Sequence, residues 1–282
     1  MKIRSSLLYL VLGMAGFLLA EMALSTPFVT AKDKTYLYFT LGQTVATELI
    51  MKDTDAKGNW PDTGFEITHT NYTLQASHGI ADQTQATVSL SYKEVKPNKD
   101  WGGVSKDDVF SGIGEIALGA KRMLYSGRPF YVAGLVRYAQ PGADYHPDGL
   151  IVPGNETREY TLGISSAWYG DLPLMVALDL GYAIRTTPAN NQNRNMLQVY
   201  YFVSNISLGL FYGMVTTNGG TDLGVDATKF AELNETFNYY GFTVGGNVTG
   251  VDVNLSYTAK MESGMTNSDV NTGITLGIGK TI

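Results

Sequence analysis

The segment from Leu174 to Arg185 reads LMVALDLGYAIR, and its alternate positions differ sharply in polarity. One row is apolar throughout and holds Leu174, Val176, Leu178, Leu180, Tyr182 and Ile184. The other row is mixed and holds Met175, Ala177, Asp179, Gly181, Ala183 and Arg185. Because successive side chains of a strand point to opposite faces, the segment predicts a β-strand between an apolar and a more polar environment.

Eleven further segments show the composition of strands and are bounded by Gly, Pro, Asn or Asp. The twelve predicted strands cover residues 35–48, 64–79, 83–96, 112–125, 129–141, 156–169, 172–187, 194–204, 206–217, 234–246, 249–261 and 270–282. The sixth and eleventh segments alternate as clearly as the seventh. The second and eighth alternate less cleanly, which leaves the facing of their side chains open.

The connections between these segments alternate between short and long. The short ones are 79–82, 126–128, 170–171, 204–205 and 247–248. The long ones are Lys52–Thr63, Pro97–Ser111, Gly142–Asn155, Pro188–Asn193, Asn218–Leu233 and Glu262–Asp269. A soluble β-sandwich shows similar alternation of side chains, but it has no reason to keep its short turns at one end. We therefore predict an all-β fold, a transmembrane up-and-down antiparallel β-barrel of about 12 strands with short periplasmic turns and long extracellular loops.

The N-terminus has the features of a secretory signal peptide. Lys2 and Arg4 precede an apolar run of 14 residues, Leu7–Ala20, which is short for a membrane-spanning helix. We predict a signal peptide over residues 1–25, with cleavage after Ser25 or Ala31, and a single outer-membrane β-barrel domain over residues 32–282. The expected location is the outer membrane of a Gram-negative cell.

The overall composition excludes several classes of function. The chain has no Cys, which excludes disulfides and thiolate metal sites. Its net charge of −6 includes no basic cluster, so no nucleic-acid partner is expected. We expect no metal site and no cofactor.

One stretch resembles a recurrent strand of a known family. Residues 111–122 read SGIGEIALGAKR, and the stretches RYAQPG at 137–142 and YTLGIS at 160–165 are similar in kind. They resemble the outer-membrane transporters named for the MetA pathway of phenol degradation. The resemblance implies a barrel and the uptake of aromatic or other small organic solutes. The chain departs from many outer-membrane barrels at its end, where Gly279-Lys280-Thr281-Ile282 lacks a terminal aromatic residue.

Charged residues on the polar rows of the strands are the main functional candidates. Strand parity places nine in the lumen as a solute path: Lys93, Glu115, Lys121, Arg137, Glu159, Asp179, Arg185, Asp252 and Lys260. In one interpretation, opposed charges line a water-filled channel and set its solute preference. In the other, they pair across the lumen and plug it. Arg137 and Arg185 are the strongest candidates for holding an anionic or aromatic solute, because guanidinium groups bind carboxylates bidentately and stack on rings.

These observations support three hypotheses for function. The first is a channel or transporter for passive or facilitated passage of small solutes, with aromatic or organic acids as the solutes considered. The alternative is a closed structural barrel whose extracellular loops serve adhesion or partner contact. The third, an outer-membrane lipid hydrolase, rests only on His69 in the second strand, where it could face lipid, and no sequence motif places a Ser opposite it. We therefore predict no enzyme and a monomer, whose partners are outer-membrane lipid, small-molecule solutes and, transiently, the barrel assembly machinery.

Overall fold

The computed structural model describes residues 28–50, 57–58, 66–100, 105–142, 157–186, 189–220, 235–266 and 268–282. Their long strands are β1 (Thr35–Ile50), β2 (Ile67–Ala81), β3 (Thr84–Pro97), β4 (Phe110–Gly127), β5 (Phe130–Pro141), β6 (Glu159–Tyr169), β7 (Leu174–Arg185), β8 (Gln192–Val203), β9 (Ile206–Thr217), β10 (Thr236–Val248), β11 (Val251–Thr266) and β12 (Ser268–Thr281). A two-residue strand, Lys57–Gly58, pairs with the end of β1. All twelve predicted strands are confirmed, with their bounds shifted by a few residues. The predicted signal peptide lies outside the described residues.

The strands form one closed antiparallel barrel. Each long strand pairs with the next one along the chain, and β12 pairs with β1 from Tyr36 opposite Thr281 to Ile50 opposite Ser268. Thr35 and Ile282 exchange backbone hydrogen bonds of 3.1 and 2.8 Å at the end of this seam. Closure pairs the two edges that an open sheet would expose, which confirms the predicted up-and-down barrel. No helix in the described part of the chain is long and apolar enough to cross a membrane.

The outer surface of the barrel is apolar. Large hydrophobic side chains stand outward on every long strand, and Leu118 and Leu210 are 58% and 67% exposed. Tyrosine pairs add to this surface, with ring centroids 5.0 Å apart for Tyr138 and Tyr160. An apolar belt of this extent is unfavourable in water and matches the lipid-facing surface of outer-membrane barrels. The facing predicted for the sixth, seventh and eleventh strands is confirmed.

The structure also decides the facing of the two strands that the sequence left open. Cross-strand partners share a face, and His69 lies opposite Thr44 on β1 and Val95 on β3, whose side chain is fully buried in the lumen row. His69, for which a lipid-facing position was open, therefore lies on the lumen row. On β8 the lumen row consists of Gln192, Arg194, Met196, Gln198, Tyr200 and Phe202.

The last predicted loop, Glu262–Asp269, is wrong. Strand β11 continues to Thr266 and β12 begins at Ser268, so most of the predicted loop lies in strands. The reason is the pairing of the start of β12 with the end of β1, which keeps residues 268–270 in the sheet. Large parts of the connections Lys52–Thr63, Gly142–Asn155 and Asn218–Leu233 lie outside the described residues.

Candidate functional site

The lumen is the candidate site, and the strand register shows which side chains enter it. All nine charged residues named from the sequence lie on the lumen-facing rows: Lys93, Glu115, Lys121, Arg137, Glu159, Asp179, Arg185, Asp252 and Lys260. They do not form one cluster but fall into three levels between the extracellular end and the periplasmic turns. Their role in solute passage stays a prediction.

The outer level holds a chain of ion pairs. Arg137 on β5 donates to the Glu115 carboxylate on β4 and lies 3.7 Å from the Glu159 carboxylate on β6. Arg194 on β8 grips the same Glu159 with two hydrogen bonds of 2.7 and 2.5 Å. Thr161 donates a further hydrogen bond of 2.9 Å to Glu159. Acidic and basic side chains alternate along this chain, so four buried or half-buried charges are neutralised. The ion pairs link strands β4, β5, β6 and β8 of the barrel wall.

The other bases of the outer level have separate partners. The Nε atom of Arg185 donates to the Asn190 carbonyl at 2.6 Å, and its backbone N–H donates to the Asn191 side chain at 3.0 Å. Arg185 thus anchors the connection between β7 and β8. Lys260 Nζ lies 4.1 Å from the ring centroid of Phe237, a cation–π distance. Lys93 is half-buried on β3.

The middle level is a packed polar cluster. Asp179 is 0% exposed and accepts hydrogen bonds from the Ser165 hydroxyl and, at 2.6 Å, from the Gln198 amide. The Tyr200 hydroxyl donates to the other end of Gln198 at 2.8 Å. Lys121, on β4, is buried at the same end of the barrel. Since Asp179 is shielded from water, this cluster stabilises the wall and does not line an open path.

The periplasmic level holds Asp252. Its carboxylate accepts hydrogen bonds from the Tyr36 hydroxyl at 3.1 Å and from the Asn247 amide at 2.7 Å. These bonds join β1, β10 and β11 beside the last turn. Asp252 therefore links β11 to β1 across β12, near the periplasmic end of the seam.

Aromatic rings lie flat on glycines of the neighbouring strands. Tyr239 on β10 is the cross-strand partner of Gly213, and Phe211 on β9 is the partner of Gly241. A Cβ at either glycine would overlap the facing ring. The two rings are 6.3 Å apart. The glycines therefore allow these large rings to lie against the barrel wall. Rings in this position fill less of the lumen than rings that point towards its centre.

The lumen has a packed side and a more open side. On the packed side, formed by β5–β10, the lumen-facing residues Ser165, Asp179, Met196, Gln198, Phe211 and Tyr239 are all under 9% exposed. On the more open side, formed by β11, β12 and β1–β4, the lumen wall includes buried residues such as Thr40, Thr73, Ser77, Ser91, Asn254 and Ser256. It also includes a set of half-buried residues: Gly42, Thr44, Asn71, Gln75, Thr87, Ser89, Glu115, Thr258, Gly273 and Thr275. Small and hydroxyl-bearing residues at the half-buried positions leave space and offer hydrogen bonds on this side of the lumen.

Sequence reasoning missed several lumen residues. Arg194 and Gln198 lie in the strand whose facing stayed open. Their row also carries Met196 and Tyr200, so it does not read as a polar row in the sequence. A search for Gln and Arg at even spacing on that strand would have found them. Phe28, which lies inside the barrel before the first strand, gave no sequence signal.

No family model and no curated protein matches this chain. Solved structures do match. The COG4313 outer membrane channel from Pseudomonas putida F1 is similar over 91% of this chain and 98% of that chain, with a TM-score of 0.74 and 12% identity. The NanC porin is similar over 86% and 98%, with a TM-score of 0.51 and 10% identity. The KdgM porin in complex with disordered oligogalacturonate is similar over 87% and 98%, with a TM-score of 0.50 and 9% identity. At these identities the likeness shows the fold, which is that of outer-membrane channel and porin barrels.

Proposed function

We propose that this chain is an outer-membrane channel for small solutes. The observation that carries the proposal is the half-buried, hydroxyl- and glycine-lined side of the lumen, which runs along β12 and β1–β4 inside a closed barrel with an apolar exterior. The fold shared with outer-membrane channels and porins supports both the membrane and the class of function. As solutes we propose aromatic or organic acids, in line with the resemblance of residues 111–122 to the transporters of phenol degradation.

The ion pairs change which residues we assign to selectivity. Asp179 is hydrogen-bonded within the packed side, and Arg137 is nearly buried between Glu115 and Glu159, so we assign both to wall stability. Glu115 keeps 29% of its side chain exposed and stands beside the open side. We therefore propose that Glu115, with Lys93 and Lys260, sets the preference of the channel for ions and charged solutes.

The test is single-channel recording of the refolded mature protein in a planar bilayer. We expect discrete, reproducible current steps. A folded protein, shown by a heat-dependent shift on gel electrophoresis, that never gives steps would contradict the channel.

A closed structural barrel is the second candidate. The tight packing of the lumen from β5 to β10 is the observation in its favour. The two functions respond differently to loop deletion, because removing residues 143–154 would abolish surface contact but leave conductance in place. A role in adhesion is supported if cells carrying the deletion lose binding to a partner surface while the barrel stays folded.

A further inference from the structure

The chain before β1 turns into the barrel at its periplasmic end. Lys32 forms a bridge with Gly79 of β2, and the Asp33 N–H donates to the Gly79 carbonyl at 2.9 Å. The Thr30 N–H donates to the side-chain oxygen of Gln85 at 2.7 Å, and Gln85 belongs to the lumen row of β3. Residues 28–34 therefore pass across the periplasmic mouth, which places the side chain of Phe28 between the walls.

Phe28 occupies a defined position, which we call the Phe28 seat. Its side chain is 8% exposed and its ring centroid lies 5.2 Å from that of Tyr131. Phe28 belongs to a hydrophobic cluster that includes Met123, Tyr131, Met175, Tyr200 and Phe202, and Lys121 lies at the edge of the seat. Thioethers and ring faces make close contacts with an aromatic ring of any source.

A polar contact completes the seat. Lys121 Nζ, which is buried, donates a hydrogen bond of 3.2 Å to the carbonyl oxygen of Phe28. In phenylalanine two carbon atoms separate the ring from that carbonyl carbon. The seat therefore holds an aromatic ring, a two-carbon spacer and an oxygen on an ammonium group, which is the pattern of a 3-arylpropionate.

We propose that the Phe28 seat binds small aromatic monocarboxylates and that the chain's own N-terminal segment occupies it in the resting protein. The proposal rests on the proposed function, for which it names the solute class and a site of contact. A carboxylate forms a charge-assisted hydrogen bond with Lys121, which is stronger than the bond from a neutral carbonyl. The nearby carboxylate of Asp179 is held by Ser165 and Gln198.

The tether explains why the segment and a solute compete. A tethered group is present at a high effective concentration, so Phe28 fills the seat whenever no solute is bound. A bound solute displaces Phe28 and frees residues 28–30 from the mouth. Removing the Phe28 ring must then raise the apparent affinity for the solute, because the competing state is lost.

The experiment is equilibrium dialysis of 3-phenylpropionate against the detergent-solubilised protein beginning at Thr26, with empty micelles subtracted. We compare the unaltered protein with Phe28→Ala, Gln85→Ala and Phe28→Ala combined with Lys121→Met. Phe28 lies outside every strand, so its replacement leaves the barrel ladder in place. We expect Phe28→Ala to bind at least tenfold more tightly than the unaltered protein. Gln85→Ala removes the hydrogen bond to Thr30 but keeps the Phe28 ring, so it should have a smaller effect in the same direction.

Two controls separate the proposed site from general hydrophobic uptake. In the Phe28→Ala protein, 3-phenylpropan-1-ol, which has no charge, should bind at least tenfold more weakly than 3-phenylpropionate. The added Lys121→Met substitution should remove that difference. The proposal fails if Phe28→Ala binds 3-phenylpropionate no more tightly than the unaltered protein, or if the alcohol binds equally well.

Bilayer recording of the same proteins distinguishes failure of this site from failure of the channel. Tight binding with no current in the Phe28→Ala protein would support the site and contradict the channel. Current without the gain in binding would support the channel and contradict the site.

Discussion

At the scale of single residues, the lumen combines charges that are fully paired with charges that still contact water. Glu159 is nearly buried and is held by Arg194 and Arg137 from two other strands. Removing one member of a buried ion pair leaves an uncompensated charge, which costs far more than the pair itself contributes. Substitution of the paired lumen charges therefore tests the stability of the barrel, and substitution of the water-exposed ones tests conduction.

We expect Arg194→Met to lower the free energy of unfolding by about 3–5 kcal/mol, because the Glu159 carboxylate loses its closest positive partner. The check is urea-induced unfolding in detergent, followed by tryptophan fluorescence. Arg158→Met is the matched control, since Arg158 is exposed next to Glu159 and its loss should change stability by under about 0.5 kcal/mol. Adding Glu159→Gln to Arg194→Met should restore part of the loss, and a simple sum of the two effects would contradict the pairing.

Glu115 and Asp179 form a matched pair for conduction, because each amide substitution removes one negative lumen charge. Glu115 is 29% exposed at its side chain, whereas Asp179 is 0% exposed. Glu115→Gln removes a negative charge from the open side, so we expect the reversal potential in a KCl gradient to shift towards selectivity for anions. Asp179→Asn should leave the reversal potential in place while the protein loses stability. Equal shifts would mean that the packed and open sides are not distinct.

At the scale of strands, alternation predicted most of the fold because each strand separates lipid from a lumen. The apolar row of β7 faces the lipid side, and Leu178 and Leu180 in its middle are 42% and 45% exposed. The facing of β8 stayed open, because Met196, Tyr200 and Phe202 share a row with Arg194 and Gln198. Those apolar side chains pack inside the barrel against other strands and against Phe28, and such long-range contacts leave no trace in local periodicity.

The placement of the candidate site was predictable by parity, but its partners were not. Parity along each strand put Arg137 and Glu159 in the lumen. Their bonds depend on the register between strands, which sets Arg137 opposite Thr161 and Ala139 opposite Glu159. The last predicted loop failed for the same reason, since pairing with β1 extends β12 beyond what its own sequence indicates.

The pairing of rings with glycines belongs to the strand scale as well. A side chain at Gly213 would overlap the ring of its partner Tyr239, which is buried against Phe211 and Phe237. We expect Gly213→Val to lower the free energy of unfolding by about 1–3 kcal/mol, as overpacked interiors do. Gly134→Ala is the control, because a Cβ there meets only ordinary contact at 3.4 Å with Leu124. Equal urea midpoints for the two variants would contradict the close seating of the Tyr239 ring.

At the scale of the whole molecule, the barrel has the opposite distribution of polar and apolar side chains from a soluble protein. Paired charges and hydroxyls lie inside, and the large apolar side chains lie outside. We therefore expect the purified protein to stay folded and monodisperse only in detergent or lipid. Light scattering after detergent removal is the measurement, with aggregation as the expected result. A soluble, folded monomer without detergent would overturn the membrane barrel.

The position of signal-peptide cleavage decides whether the Phe28 seat is occupied by the chain's own N-terminal segment. Cleavage after Ser25 keeps Phe28 and the contacts of Thr30 with Gln85, whereas cleavage after Ala31 removes both. The buried contacts of Phe28 and its bond to Lys121 favour a mature chain that retains them. We expect the intact mass of protein extracted from outer membranes to correspond to a chain that begins at Thr26. A chain that begins at Lys32 is six residues shorter, leaves the Phe28 seat without its internal occupant, and would rule out self-occupation of the site.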